Sequence, residues 1–159
     1  MLRITTMLVA AASCAAGNDV DWPEYLGGPD RNHYSALDHI DRSNVAQLEL
    51  AWEYRSGDAS DSGRSQIQCN PIVVNGVLYG SSPSQTFFAL NAATGEPLWR
   101  FEPGTGAGGL NRGVAYWSNT DGTDRRILAG AGARLYAIDA ATGDAIKRFG
   151  EDGSIDLRT

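Results

Sequence analysis

The chain is poor in cysteine, histidine and methionine, with two of each in 159 residues, and these scarcities exclude several classes of protein. Cys14 falls in the leader discussed below, so Cys69 would remain alone, and an intrachain disulfide framework is ruled out. Cys69 reads as a small buried hydrophobe rather than a nucleophile. His33 and His39 lie six residues apart in an expected loop, with no cysteine or carboxylate spacing that would complete a zinc site; they read as surface or packing residues. The 13 basic residues are scattered and outnumbered by 19 acidic ones, for a formal charge of -6. Nucleic acid is therefore not an expected partner, because phosphate-backbone binding needs a concentrated basic face. No segment approaches the roughly 20 apolar residues that span a bilayer. Asp and Glu are plentiful, yet sequence alone places no pair at acid–base distance, so neither a catalytic residue nor a metal ligand is named.

The first residues are a processing segment rather than part of a fold. MLRITTMLVAAASCAAGNDV has Arg3 in a short n-region, an apolar stretch from Met7 to Ala12, and small residues after it, the layout of an export signal over residues 1–16. LVAAASC, Leu8 to Cys14, is similar to a bacterial lipoprotein processing site, which would make Cys14 a lipid anchor; Ala11 stands where leucine is usual. The other reading is plain cleavage near Ala16 and release. Both place the mature chain in the periplasm, free or membrane-anchored.

What the sequence does have is glycine, 19 residues of it among apolar runs, which favours short strands joined by tight turns. It also has a repeat. ALNAATGEPLW at Ala89 to Trp99 returns as AIDAATGDAIK at Ala137 to Lys147, an offset of 48 residues from position 89 to position 137. Each copy follows a short apolar segment, VLYG at Val77 to Gly80 and ILAG at Ile127 to Gly130. A period in the forties with strand-like segments is the mark of propeller blades, small sheets that bury their faces only by stacking on neighbours.

Within one unit the details agree. FFALNAATGEPLWRF alternates apolar and polar residues on both sides of a turn, giving antiparallel strands over about Thr86 to Leu90 and Pro97 to Phe101. Asn91 or Asp139 can accept backbone N–H groups ahead of it, and Gly95 or Gly143 supplies the positive φ of the reversal. Trp99 offers a flat surface for packing between sheets, whereas Lys147 at the matching position makes the second copy a weaker docking unit. Asn75-Gly76 in NPIVVNGVLYG predicts a hairpin, and RGVAYWSNTDGTDRRILAG repeats the theme with a longer loop containing Asp121-Gly122. The strand order expected per blade is inner, middle, middle, outer.

Upstream, DRSNVAQL at Asp41 to Leu48 predicts a short helix capped by Asp41 or Ser43, and AWEYR reads as a lone strand. The domain reading is thus an export signal over 1–16, a lead-in with a short helix and closing strand over 17–58, and an incomplete β-propeller over 59–159. From Asn70 the chain holds about two blades and the start of a third, an all-β fold. Closed propellers take about four to eight blades, and two alone would leave edges and apolar faces open, so a fragment of a longer product is expected. GTGAGG at Gly104 to Gly109 satisfies a dinucleotide fingerprint, but a strand-like segment follows where that motif needs a helix, and the match reads as chance.

Three stretches resemble the dehydrogenases dependent on pyrroloquinoline quinone. They are DWPEYLGGPDRNHYSALDHIDRSNVAQLELAWEYRSGD at Asp21 to Asp58, similar to that family's lead-in; the two ATG repeats with Trp99; and LNRGVAYW at Leu110 to Trp117. The resemblance implies an eight-bladed propeller, of which about two blades are here, with the quinone on its axis and an alcohol or aldose as hydride donor. It implies that Arg112 contacts the quinone, a tricarboxylate whose acid groups suit a guanidinium's paired donors. Taken alone, Arg112 is open to two other readings, a solvated surface residue or a structural ion-pair partner. Gln68, three residues before Pro71, stands where several members have a cofactor-contacting glutamate; it keeps hydrogen-bonding capacity without the charge, and could equally be a polar residue closing the strand. Calcium ligands and the general base are implied for later blades, past residue 159, and the fragment alone is expected to be inactive. Cytochrome c or a membrane quinone is the implied electron acceptor. Methanol dehydrogenases carry adjacent cysteines before the matching arginine, where this chain has Gly106 and Ala107, which favours the glucose or polyol branch. The alternative is a non-enzymatic propeller lipoprotein, an outer-membrane assembly scaffold that shares the repeats and the lipidated cysteine.

Overall fold

The computed structural model describes residues 21–61, 63, 65–104 and 109–158. The export-signal reading, with Cys14 and Ala16, and the middle of GTGAGG fall outside these residues, as do Gly106 and Ala107. Two antiparallel four-stranded sheets follow one another along the chain. The first holds β1 (Ile72–Val74), β2 (Val77–Ser81), β3 (Phe87–Asn91) and β4 (Pro97–Phe101); the second holds β5 (Ala115–Ser118), β6 (Arg125–Ala131), β7 (Arg134–Asp139) and β8 (Ser154–Asp156). Each sheet runs in simple sequence order, the meander expected of a blade.

Local chemistry accounts for the turns. Asn75 (φ 51°) and Gly76 (φ 73°) both take positive φ between β1 and β2, the two-residue turn whose twist matches the strands it joins. Between β3 and β4, Asn91 Oδ1 accepts the N–H groups of Ala93 (2.9 Å) and Thr94 (3.1 Å). Asp139 repeats this toward Ala141 (2.9 Å) and Thr142 (3.0 Å). Gly95 and Gly143 sit at φ 74° and 80°. The repeat read in the sequence is a repeat of turn geometry.

The core lies between the sheets. Alternation along the first sheet turns Ile72, Val74, Tyr79, Phe87, Ala89 and Trp99 toward the second, which answers with Ile127, Ala129, Ala131, Ile138 and Ala140. Large rings on one sheet thus share the core with small residues on the other. Each large side chain so buried contributes about 1.5–3 kcal/mol.

Two expectations are corrected. Asp41–Leu48 is no full helix: only Val45–Gln47 forms a single 3₁₀ turn, without a side-chain cap. Asp41 Oδ1 instead accepts from the Ser43 N–H and hydroxyl, so the expected cap closes a local turn ahead of the 3₁₀ segment. Ala51–Arg55, read as a lone strand, has no partner strand among the described residues and belongs to no sheet. It keeps the alternation of a strand, with Trp52 and Tyr54 half-buried and Ala51, Glu53 and Arg55 exposed, but it is held by side chains, Trp52 Nε1 donating to Ala92 O at 3.2 Å and the Tyr54 ring lying 4.9 Å from that of Phe88. The other correction concerns the residues after the second ATG turn, which do not continue directly as a strand, and among the described residues no third sheet begins. Ile146 N–H bonds Ala137 O at 2.8 Å, the chain then detours through Lys147–Gly153, and β8 returns to pair with Arg134–Tyr136. Gly150, Asp152 and Gly153 all take positive φ there, and the chain turns back onto β7 to complete the second sheet. Lys147 is exposed and pairs with Asp152 at 2.8 Å.

Candidate functional site

The segments that carry the candidate residues meet at the end of the sheets where β2 turns into β3 and where β4 leads on to β5. Arg112 precedes β5. Its carbonyl accepts the Asn70 N–H at 2.9 Å, which ties the entry to the second sheet to the entry to the first. Its side chain is exposed, and among the described residues no carboxylate pairs with it. Arg112 lines an open cleft of about 520 Å³ with Tyr25, Gly113, Val114, Ala115 and Leu128.

Tyr25 reaches this cleft because the lead-in docks on β1. Trp22 and Val73 exchange both backbone hydrogen bonds at 2.9 Å, on the edge of β1 that β2 leaves free, and Asp21 Oδ1 accepts the Asn75 N–H at 2.9 Å. The chain then turns through Tyr25–Gly27, where a β-carbon on Gly27 would meet the Trp22 ring at 2.8 Å. Sequence reading placed the lead-in beside the propeller but gave no signal for Tyr25.

Gln68 is half-buried, and its Nε2 donates to Gln66 Oε1 at 3.1 Å. It lies two residues before Asn70 and so on the segment bonded to Arg112, but it is not among the residues lining the Arg112 cleft. Cys69 is half-buried and accepts the Ser81 N–H at 3.3 Å, a packing residue with one weak polar contact.

Three polar side chains missed in the sequence organise this end. Asn111 Oδ1 accepts from Ser81 Oγ (3.0 Å) and from the Gly113 N–H (2.8 Å), while Nδ2 donates to Gly130 O at 2.9 Å. Gln85, 4% exposed, donates to Gly109 O (3.1 Å) and accepts from the Gly132 N–H (3.2 Å). Asp58 accepts from Ser82 Oγ and from the Ser84 N–H at 2.9 Å. Burial alone would raise the Asp58 carboxyl, but hydrogen bonds from Ser56, Ser82 and Ser84 outweigh it and hold the group down at about 2.

The cleft sets one guanidinium beside apolar surface, a combination that can hold an acidic group. The Arg112 guanidinium offers two parallel N–H donors, and Tyr25, Val114 and Leu128 supply apolar surface beside it. The meander sheets, stacked with a tryptophan between them, define the class of this protein as a β-propeller. Residues 22–159 match the family of glucose/ethanol/alcohol dehydrogenase β-propeller domains, which carries the label PQQ, and the chain belongs to that family. Among its relatives, the dehydrogenase subunit of alcohol dehydrogenase (quinone) from Gluconobacter oxydans is 34% identical over 82% of this chain and 17% of its own length. Quinoprotein glucose dehydrogenase of the same organism is 32% identical, over 94% of this chain and 22% of its own. In structure the chain is similar to quinohemoprotein alcohol dehydrogenase from Comamonas testosteroni, with a TM-score of 0.71 and 28% identity across 89% of this chain and 20% of that one. The chain thus spans about a fifth of the relatives it matches.

Proposed function

We propose that the complete protein carrying this chain is a periplasmic oxidoreductase that oxidises an alcohol or an aldose sugar with pyrroloquinoline quinone and calcium, and delivers electrons to cytochrome c or a membrane quinone. The observation that carries this reading is Arg112, a guanidinium without a carboxylate partner among the described residues, set beside an apolar cleft in a chain of the quinone-linked propeller family. When bound, the quinone supplies the hydride acceptor. Arg112 holds one of its acid groups by paired N–H donors, and Gln68 contributes an uncharged hydrogen bond from the neighbouring segment.

On this reading residues 59–159 are two blades of an eight-bladed ring, and 17–58 are a lead-in whose Ala51–Arg55 segment closes the ring by pairing with later strands. The calcium ligands and the general base belong to later blades, so the 159 residues alone turn over no donor. Export follows from residues 1–16, with Cys14 as lipid anchor if the lipoprotein route is taken. A scaffold propeller would need neither the lead-in packed against β1 nor an unpaired arginine beside the cleft. The test is to reconstitute the complete gene product with quinone and calcium and to assay dye reduction with glucose and simple alcohols. Donor-dependent reduction that requires the quinone supports the reading; absence of quinone binding defeats it.

A further inference from the structure

We propose that Asn111, seconded by Gln85, is a positioning residue for Arg112, locking the two sheets together at the segment from which the guanidinium projects. The inference rests on the quinone reading and deepens it.

Two sheets joined by apolar packing alone can slide by fractions of an ångström at little cost, because dispersion contacts are non-directional. Hydrogen bonds are directional and resist such movement. Asn111 supplies three of them at once: to Ser81, 1% exposed at the end of β2; to Gly130 within β6; and to the Gly113 N–H on the far side of Arg112. The arginine is therefore bracketed, with its own carbonyl bonded to Asn70 N–H. Gln85 makes a second crossing, from the β2–β3 turn to Gly109 and Gly132. It does so from a left-handed backbone conformation (φ 63°) that a glutamine rarely adopts, and Asp58 fixes that turn through Ser82 and Ser84. Two of these bonds, to Gly109 O and from the Gly113 N–H, hold the two ends of the segment 109–113, and the others tie it to β2 and to the β6–β7 region. Their common effect is to fix where the Arg112 side chain starts.

The experiment is a double-mutant cycle in the complete gene product, reading the dissociation constant for pyrroloquinoline quinone at fixed calcium by equilibrium dialysis, with thermal midpoints of the quinone-free proteins alongside. Asn111→Ala is expected to weaken binding about tenfold, the scale of one charge-assisted hydrogen bond. Arg112→Ala is expected to weaken it at least as much, and the double variant no more than Arg112→Ala alone, because the asparagine acts through the arginine. Gln85→Met, which keeps the side chain's length and removes its bonds to Gly109 and Gly132, should show the same dependence on Arg112 to a smaller degree. It serves in place of Asn111→Ala should that variant not fold. Unchanged binding, or losses that add fully to that of Arg112→Ala, overturns the proposal. A wild-type protein that binds no quinone overturns the quinone reading instead.

Discussion

The indole of Trp99 lies so close to Gly143 that a β-carbon there would sit 2.8 Å from its Cδ2 atom. Its Nε1 donates to Ala140 O at 3.0 Å, the carbonyl that Tyr79 also reaches, at 3.2 Å. Trp52 stands in the same relation one repeat earlier: a β-carbon on Gly95 would meet its ring at 2.5 Å, and its Nε1 reaches Ala92 O. Each ATG turn is thus a socket for a tryptophan from the preceding unit. The glycine is needed twice, for its positive φ and for the missing side chain.

Glycine substitutions separate those two needs. Gly122 also has positive φ but open space around it, so Gly122→Ala costs only the backbone term, about 1–2 kcal/mol. Gly143→Ala and Gly95→Ala add displacement of an indole, and each should cost at least about 1 kcal/mol more, in the range of overpacking. Thermal or denaturant unfolding of the complete gene product, comparing the three variants, measures the difference.

Acid should loosen the Asp58 turn. The Asp58 carboxyl ionises at about 2 in the fold and near the ordinary aspartate value of 3.8 in the unfolded chain, so between these values the unfolded chain binds more protons and stability falls as the pH drops. Above about pH 4 the contribution is complete. Asp58→Asn should lose stability at neutral pH, by about 1–3 kcal/mol for the weakened hydrogen bonds, and show a shallower decline from pH 4 to 2 than wild type.

Alkali should act through Tyr79. Burial, first, and the nearby Tyr116 push its hydroxyl up to about 12 from 10.0. From pH 10 to 12 the native state keeps a proton that the unfolded chain releases, so stability is lost as the pH rises through that window. Tyr79→Phe should abolish this part of the alkaline decline, and an ultraviolet phenolate titration of the folded protein should show one fewer group resisting ionisation to about pH 12.

The parts of the fold visible in the sequence are those written in local chemistry. Asn75-Gly76 demands two positive φ values, and the ATG turns pair an Asx acceptor with a glycine, so their geometry follows from adjacent residues alone. β8 was not legible: Lys147 interrupts the repeat, and only the positive-φ run Gly150, Asp152, Gly153 marks where the chain folds back. Nor was the docking of Trp22 on Val73, because a two-residue bridge leaves no periodicity. At the candidate site, LNRGVAYW exposed Arg112 and contained Asn111 beside it, but side-chain bonds to distant carbonyls such as Gly130 O have no signature in a linear pattern. Gln85 and Asp58 stayed hidden for the same reason.

The most direct measurement is the affinity of the complete gene product for pyrroloquinoline quinone, wild type against Arg112→Ala and Arg112→Lys, with calcium present. Arg112 is exposed and lacks a carboxylate partner among the described residues, so neither substitution should move the thermal midpoint of the quinone-free protein. Arg112→Ala should weaken binding about tenfold or more, with Arg112→Lys between it and wild type because an ammonium cannot make the paired contact. Equal affinities for all three proteins, or no saturable binding by wild type, would contradict the account.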